Sequence, residues 1–120
     1  MIETITLLKA DGETSDDVTM LANGATSIYY KQIFGEDLIR MMSRSASDLS
    51  NLDGNFVNKL AFIMAMNARH EDMKKLSFDN FVDWIAEYDS GCLIEKQNEI
   101  VGVYLSTKKT GSKAKKKAGQ

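Results

Sequence analysis

Asp53-Gly54-Asn55-Phe56-Val57-Asn58-Lys59-Leu60-Ala61-Phe62-Ile63-Met64-Ala65-Met66-Asn67-Ala68 is the stretch on which the fold of this chain turns. Asp53-Gly54-Asn55 is a helix start signal. Phe56, Leu60, Ile63, Met64 and Asn67 then recur at helical spacing, with Val57, Ala61, Ala65 and Ala68 beside them. No other segment is as apolar, so it is predicted to be the central core helix, with the remaining elements packed round it.

Toward the C-terminus, Ser77 is a good N-cap and Asp79 falls in the first turn of a second helix. Phe78, Phe81, Val82, Ile85 and Tyr88 form its predicted apolar stripe, with Trp84 on the flank. Ser90 can cap a last helix running through Leu93, Ile94, Ile100, Val101, Tyr104 and Leu105. Ile100 to Leu105 is rich in β-formers, so a hairpin is the alternative there. Toward the N-terminus, Thr26 can cap a helix whose apolar positions include Ile28, Tyr29, Ile33 and Phe34. Gly35 interrupts it, and Glu36-Asp37 place negative charge at the start of a further helix with Leu38, Ile39, Met41 and Met42 on its apolar face. Ser43 to Asn51 is rich in Ser, Asn and Asp, which compete for backbone hydrogen bonds, and this helix is expected to fade there. Ile2 to Leu8 is dominated by β-formers and reads as a strand. The polar turn Asp11 to Asp17 separates it from a second short strand at Val18 to Ala22.

The predicted fold class is therefore mainly α (α+β). It has four to five helices, a short N-terminal two-stranded β element and a disordered basic C-terminal tail. Residues 1–105 form the single domain and 106–120 the tail. The charge divides at the same boundary: the body is acidic, while Ser106 to Gln120 holds six lysines, no acid and no large apolar residue. Such a segment cannot offset the entropy of ordering. A chain of 120 residues buries a modest core, so stabilisation by self-association into a homo-oligomer is a reasonable expectation. There is no apolar run near the roughly 20 residues that span a bilayer, and the N-terminus lacks a signal core. A cytoplasmic location without membrane contact is expected.

Catalysis is not expected, and no catalytic residue, cofactor or metal ligand is assigned. His70 and Cys92 are the sole histidine and cysteine, too few for a Cys/His zinc site or an obvious nucleophile–base pair. His70 lies in a polar stretch after the core helix, where a cation suits a helix C-terminus. Cys92 reads as a small residue near the core. Asp16-Asp17, Glu36-Asp37 and Glu71-Asp72 read as loop or first-turn charges. Lys109-Thr110-Gly111-Ser112-Lys113 lacks the strand and glycine spacing of a phosphate loop.

Binding of other proteins is the remaining function class. Met41, Met42, Met64, Met66 and Met73 either fill the core or form an adaptable binding surface. The aromatic residues Phe81, Trp84 and Tyr88 pose the same choice. The lysine tail is either a solubilising end or a salt-sensitive contact for an acidic partner. The acidic body and the lack of aromatics among the tail lysines argue against nucleic acid. A small regulatory or nucleic-acid-associated adaptor that uses this tail is the alternative function.

Ala22-Asn23-Gly24-Ala25-Thr26-Ser27-Ile28-Tyr29-Tyr30-Lys31-Gln32-Ile33-Phe34-Gly35-Glu36-Asp37-Leu38-Ile39 resembles a segment of the tail assembly chaperones of long-tailed (siphovirus-type) bacteriophages and prophages of Gram-positive bacteria. There an "AT" or "ATP" element leads into an aromatic-basic helix and a Phe-Gly-x-Asp turn. Leu60 to Ala68 resembles the family's Ala/Met-rich helix. Phe78 to Tyr88 is similar to its Phe-x-x-Phe-x-x-Trp-Leu helix. The order and spacing match over residues 18–105. Ser27 stands where proline is common, and the family's last helix is less clear here. The resemblance implies a non-enzymatic chaperone that coats the tape measure protein, prevents its aggregation, helps recruit tail tube protein subunits and is absent from the mature virion. It further implies a bacterial host cytoplasm and a longer product made by ribosomal frameshifting, with Lys108-Lys109 and Lys115-Lys116-Lys117 compatible with slippery codons. Ile39, Met42, Phe81, Trp84 and Ile85 are the candidate partner-binding residues.

Overall fold

A hairpin opens the chain. Strand β1 (Ile2–Leu8) pairs antiparallel with β2 (Ser15–Leu21), with Ile5 opposite Val18 and Leu7 opposite Asp16. This is a computed structural model, and it describes residues 2–40 and 54–105. Alternation puts Ile5, Leu7, Val18 and Met20 on the buried face, and Thr4, Thr6, Asp17 and Thr19 on the exposed one. Across that outer face the Thr6 hydroxyl donates to Asp17 Oδ1 at 2.7 Å. The tip needs a positive φ at Gly12 (73°). Asp11 closes it by accepting from the Glu13 and Thr14 N–H groups at 2.8 and 2.9 Å. Those bonds hold the Asp11 carboxyl below its usual range. The second strand begins three residues earlier than the predicted Val18, because Ser15 to Asp17 pair with Leu8 to Thr6 despite their polarity.

Helix α1 (Thr26–Phe34) follows. Thr26 is its first residue and not its cap: its hydroxyl accepts from the Asn23 N–H at 2.9 Å, and its side chain is buried. Gly35, at φ 72°, ends the helix by donating its N–H to the Lys31 carbonyl at 2.8 Å. Asp37 Oδ1 accepts from the Arg40 N–H at 3.1 Å and so caps the helical residues 38–40. The expected fading at 43–51 lies outside the described residues.

Helix α2 (Gly54–Ala68) is the predicted centre. Every residue from Leu60 to Met66 is buried, as are Phe56 and Val57, and the helix is enclosed by β2, α1 and the two helices that come after it. A helix apolar on all sides is stable only when wrapped in this way. It ends in a Schellman motif: the His70 N–H reaches the Asn67 carbonyl and the Glu71 N–H reaches the Met66 carbonyl. His70 occupies the left-handed position at φ 59°, where glycine is usual. His70→Gly is therefore expected to stabilise the fold by about 0.5–1 kcal/mol, measurable as a higher urea midpoint.

A 3-10 turn (Met73–Lys75) leads to α3 (Phe78–Ile85), whose Asn80 side chain accepts from the Ser77 N–H at 2.9 Å. The inward face is the predicted stripe turned toward Trp84: Phe81, Ile85 and Tyr88 pack inward as read, Trp84 joins them from the flank, and Phe78 and Val82 turn out. The ring of Phe62 on α2 lies 5.6 Å from Phe81 and 5.8 Å from Trp84, and this pair of contacts sets the rotation of α3.

Residues 87–89 then run beside the end of β1. Ala10 donates to the Glu87 carbonyl and Asp89 donates to the Leu8 carbonyl, both at 2.9 Å. Helix α4 (Cys92–Glu95), capped by Gly91 and not by Ser90, and helix α5 (residues 97–105) complete the fold. The helical reading of the last segment holds, and the hairpin alternative does not. The lysine-rich segment 106–120 lies outside the described residues. No helix among the described residues is long and apolar enough to cross a membrane.

Candidate protein-binding surface

Amphipathic elements of a short chain cannot cover every apolar side chain, so the informative ones are those left in water together. On α1, Tyr30 is fully buried, with Phe34 at 5.2 Å and Phe56 at 6.0 Å between ring centroids. That anchor turns Ile28 outward, where it is 64% exposed. Beyond the Gly35 turn, Leu38 is buried and Ile39 is therefore outward and 51% exposed. Ile28 and Ile39 thus face the same groove of about 390 Å³, lined also by Ser27, Lys31, Gln32 and Asp37.

Both walls are braced. Gln32 Nε2 donates to the Met73 carbonyl at 3.0 Å, which ties α1 to the 3-10 turn. Lys59 Nζ, on α2, bonds Glu36 Oε1 at 2.9 Å and lies 5.4 Å from the centre of the Phe34 ring. The Lys59 side chain is mostly shielded, so this pair holds the Gly35–Asp37 turn more firmly than a fully solvated one would. A second exposed apolar pair, Phe78 and Val82, lies on the outer side of α3. The Phe78 ring meets Phe34 edge-on at 6.4 Å.

The candidate partner-binding residues divide accordingly. Ile39 is on the groove. Met42 lies outside the described residues. Ile85 is partly buried against the core. Phe81 and Trp84 are corrected to core residues, 6% and 4% exposed, because the Phe62 ring draws them inward. Trp84 Nε1 is buried without a hydrogen-bond partner among the described residues. Ile28, Phe78 and Val82 were not among the candidates. Met64, Met66 and Met73 are buried and fill the core, as does Met20.

The chemistry-bearing groups are dispersed. Among the described residues no three His, Cys, Asp or Glu side chains lie together as a metal site. Burial pushes the Cys92 thiol up, which leaves it protonated and unreactive near neutrality. Tyr88 donates to Asp16 Oδ2 at 3.0 Å, and desolvation together with that bond raises its phenol well above 10. The unfolded chain therefore loses this proton first as the pH passes 10. Stability is intact below that value and falls as the pH rises beyond it. Tyr88→Phe is expected to cost about 1 kcal/mol near neutrality and to flatten the alkaline decline, as read from urea midpoints between pH 8 and 11.

Comparison of the chain with protein-family models, with curated proteins and with solved structures finds no match. The functional reading therefore rests on the surface just described and on the motifs in the sequence.

Proposed function

We propose that this chain is a non-enzymatic tail assembly chaperone that binds the apolar helices of a tape measure protein in the bacterial cytoplasm. In this reading it keeps them from aggregating and helps recruit tail tube subunits. One observation carries the reading. The segment Ala22 to Ile39, one of the three that resemble such chaperones, also builds the apolar groove between Ile28 and Ile39. A groove with aliphatic walls, a few polar groups at its rim and braced sides suits the apolar stripe of an amphipathic helix. Many weak contacts of this kind along one rod give avidity and still permit displacement when the tube closes. The frameshift reading concerns residues 106–120 and is open to direct inspection of the gene for a slippery heptamer.

The test is co-expression with the tape measure protein encoded nearby. The chaperone reading expects a larger soluble fraction of that protein and a complex that survives moderate salt. A tape measure protein that stays insoluble, with no co-purification at low salt, would overturn it.

A further inference from the structure

The outer side of α3 carries two adjacent rows of side chains, each with a period of four. One row is apolar: Phe78 and Val82 are exposed, with the small, exposed Ala86 in line beyond them. The other is acidic: Asp79, Asp83 and Glu87 are all exposed. Side chains four apart share a helix face, so the rows run side by side for about 12 Å. Burial of Phe81 and Trp84 fixes the face from beneath, and the Ser77–Asn80 bond fixes its start. Among the described residues Asp79 and Asp83 make no ion pair, and Glu87 has only a loose one, to Lys9 Nζ at 3.9 Å. The acidic row works against the helix that bears it. Like charges four apart repel. Asp83 and Glu87 also sit at the C-terminal end, where the helix dipole disfavours negative charge.

We infer that this face binds a cationic amphipathic helix of another protein, whose apolar side chains cover Phe78 and Val82 while a flanking row of lysine or arginine meets Asp79, Asp83 and Glu87. Charge complementarity selects that occupant. Such a partner covers the apolar row and relieves the repulsion within the acidic one. A second copy of the same face would set acid against acid. The chain's own lysine-rich segment 106–120 has the charge but no large apolar side chain to cover Phe78. An acidic or neutral helix would desolvate the carboxylates without pairing them. The Ile28–Ile39 groove does not share this preference, since its lining holds one cation, Lys31, and one anion, Asp37. The inference does not depend on the chaperone reading.

The probe is a synthetic peptide of leucine and lysine, about 18 residues long so that it can form a helix, with leucines on one face and lysines beside them. Titrated into isotope-labelled protein, it is expected to shift the amide signals of residues 78–87 more than those of residues 27–39. Its affinity should fall about tenfold between about 50 and 300 mM salt. The double variant Asp79→Lys, Asp83→Lys should weaken binding by about tenfold or more, and so should Val82→Ser. All three positions are exposed, so circular dichroism should stay folded. A lysine peptide without leucine, and a leucine peptide with glutamate for lysine, should each bind at least about tenfold more weakly. Should the double variant fail to fold, Val82→Ser and the two control peptides decide. Absence of binding at about 1 mM peptide, shifts centred elsewhere, a folded double variant that binds as well as the parent, or a control peptide that matches the probe overturns the inference.

Discussion

Phe62→Ala is expected to remove about 3–5 kcal/mol of stability, the largest effect of any single truncation considered. Phe62 is 1% exposed at the middle of α2, and its ring is met by Phe34 at 6.4 Å, Phe81 at 5.6 Å and Trp84 at 5.8 Å. Those partners come from α1 and α3, so the void opens where three helices converge and cannot collapse by moving one of them. The loss combines the transfer energy of the ring, the cavity term and the edge-to-face contacts. For a domain whose total stability is about 5–15 kcal/mol, that removes a large share. Urea unfolding followed by Trp84 fluorescence measures it. A loss below about 1 kcal/mol would mean that the helices are not anchored on this ring.

The second large effect concerns the groove. Ile28→Asp and Ile39→Asp each put a carboxylate in place of an exposed aliphatic side chain, so the fold should lose no more than about 0.5 kcal/mol. Against an apolar helix the same change leaves a charge to be desolvated at the centre of the contact. Under the proposed function each variant is expected to weaken binding of the tape measure protein by about tenfold or more, and the pair together to abolish co-purification. Phe78→Asp and Val82→Asp on the outer side of α3 are the comparison. If they alone disrupt the complex, the partner uses that face and the groove assignment is wrong. If none of the four changes co-purification, neither apolar surface is the contact.

Local signals carried the fold where they were sufficient. β1 lies at Ile2–Leu8 as read, because alternation and β-branching agree over the whole run. Gly35 breaks the helix and Asp37 stands at the start of the next one as read, while its capping bond to Arg40 is a detail that the structure adds. The readings that moved were settled by distant partners. Asp16 belongs to a strand and is held by Tyr88, 72 positions later. In α3 two stripes fit helical spacing, one through Phe78 and Val82 and one through Trp84; the Phe62 ring decides between them. For that reason Phe81 and Trp84 suggested a surface and proved to be core. The groove was half legible. Ile39 was a candidate, but Ile28 was grouped with the inward positions of α1, and only the full burial of Tyr30 turns it outward.

The turn at Gly35 has a bearing on how such a groove can diversify. Ile28 and Ile39 belong to separate helices whose angle is set by one left-handed backbone position and locked by the Lys59–Glu36 ion pair. Clearance between the walls is accordingly a main-chain property, while affinity belongs to the side chains that face across it. Substitution at positions 28 and 39 can retune preference for one helix over another without altering the gauge. A residue with a Cβ at position 35 would meet no atom but would strain the left-handed turn that sets the gauge, and would leave the lining chemistry untouched.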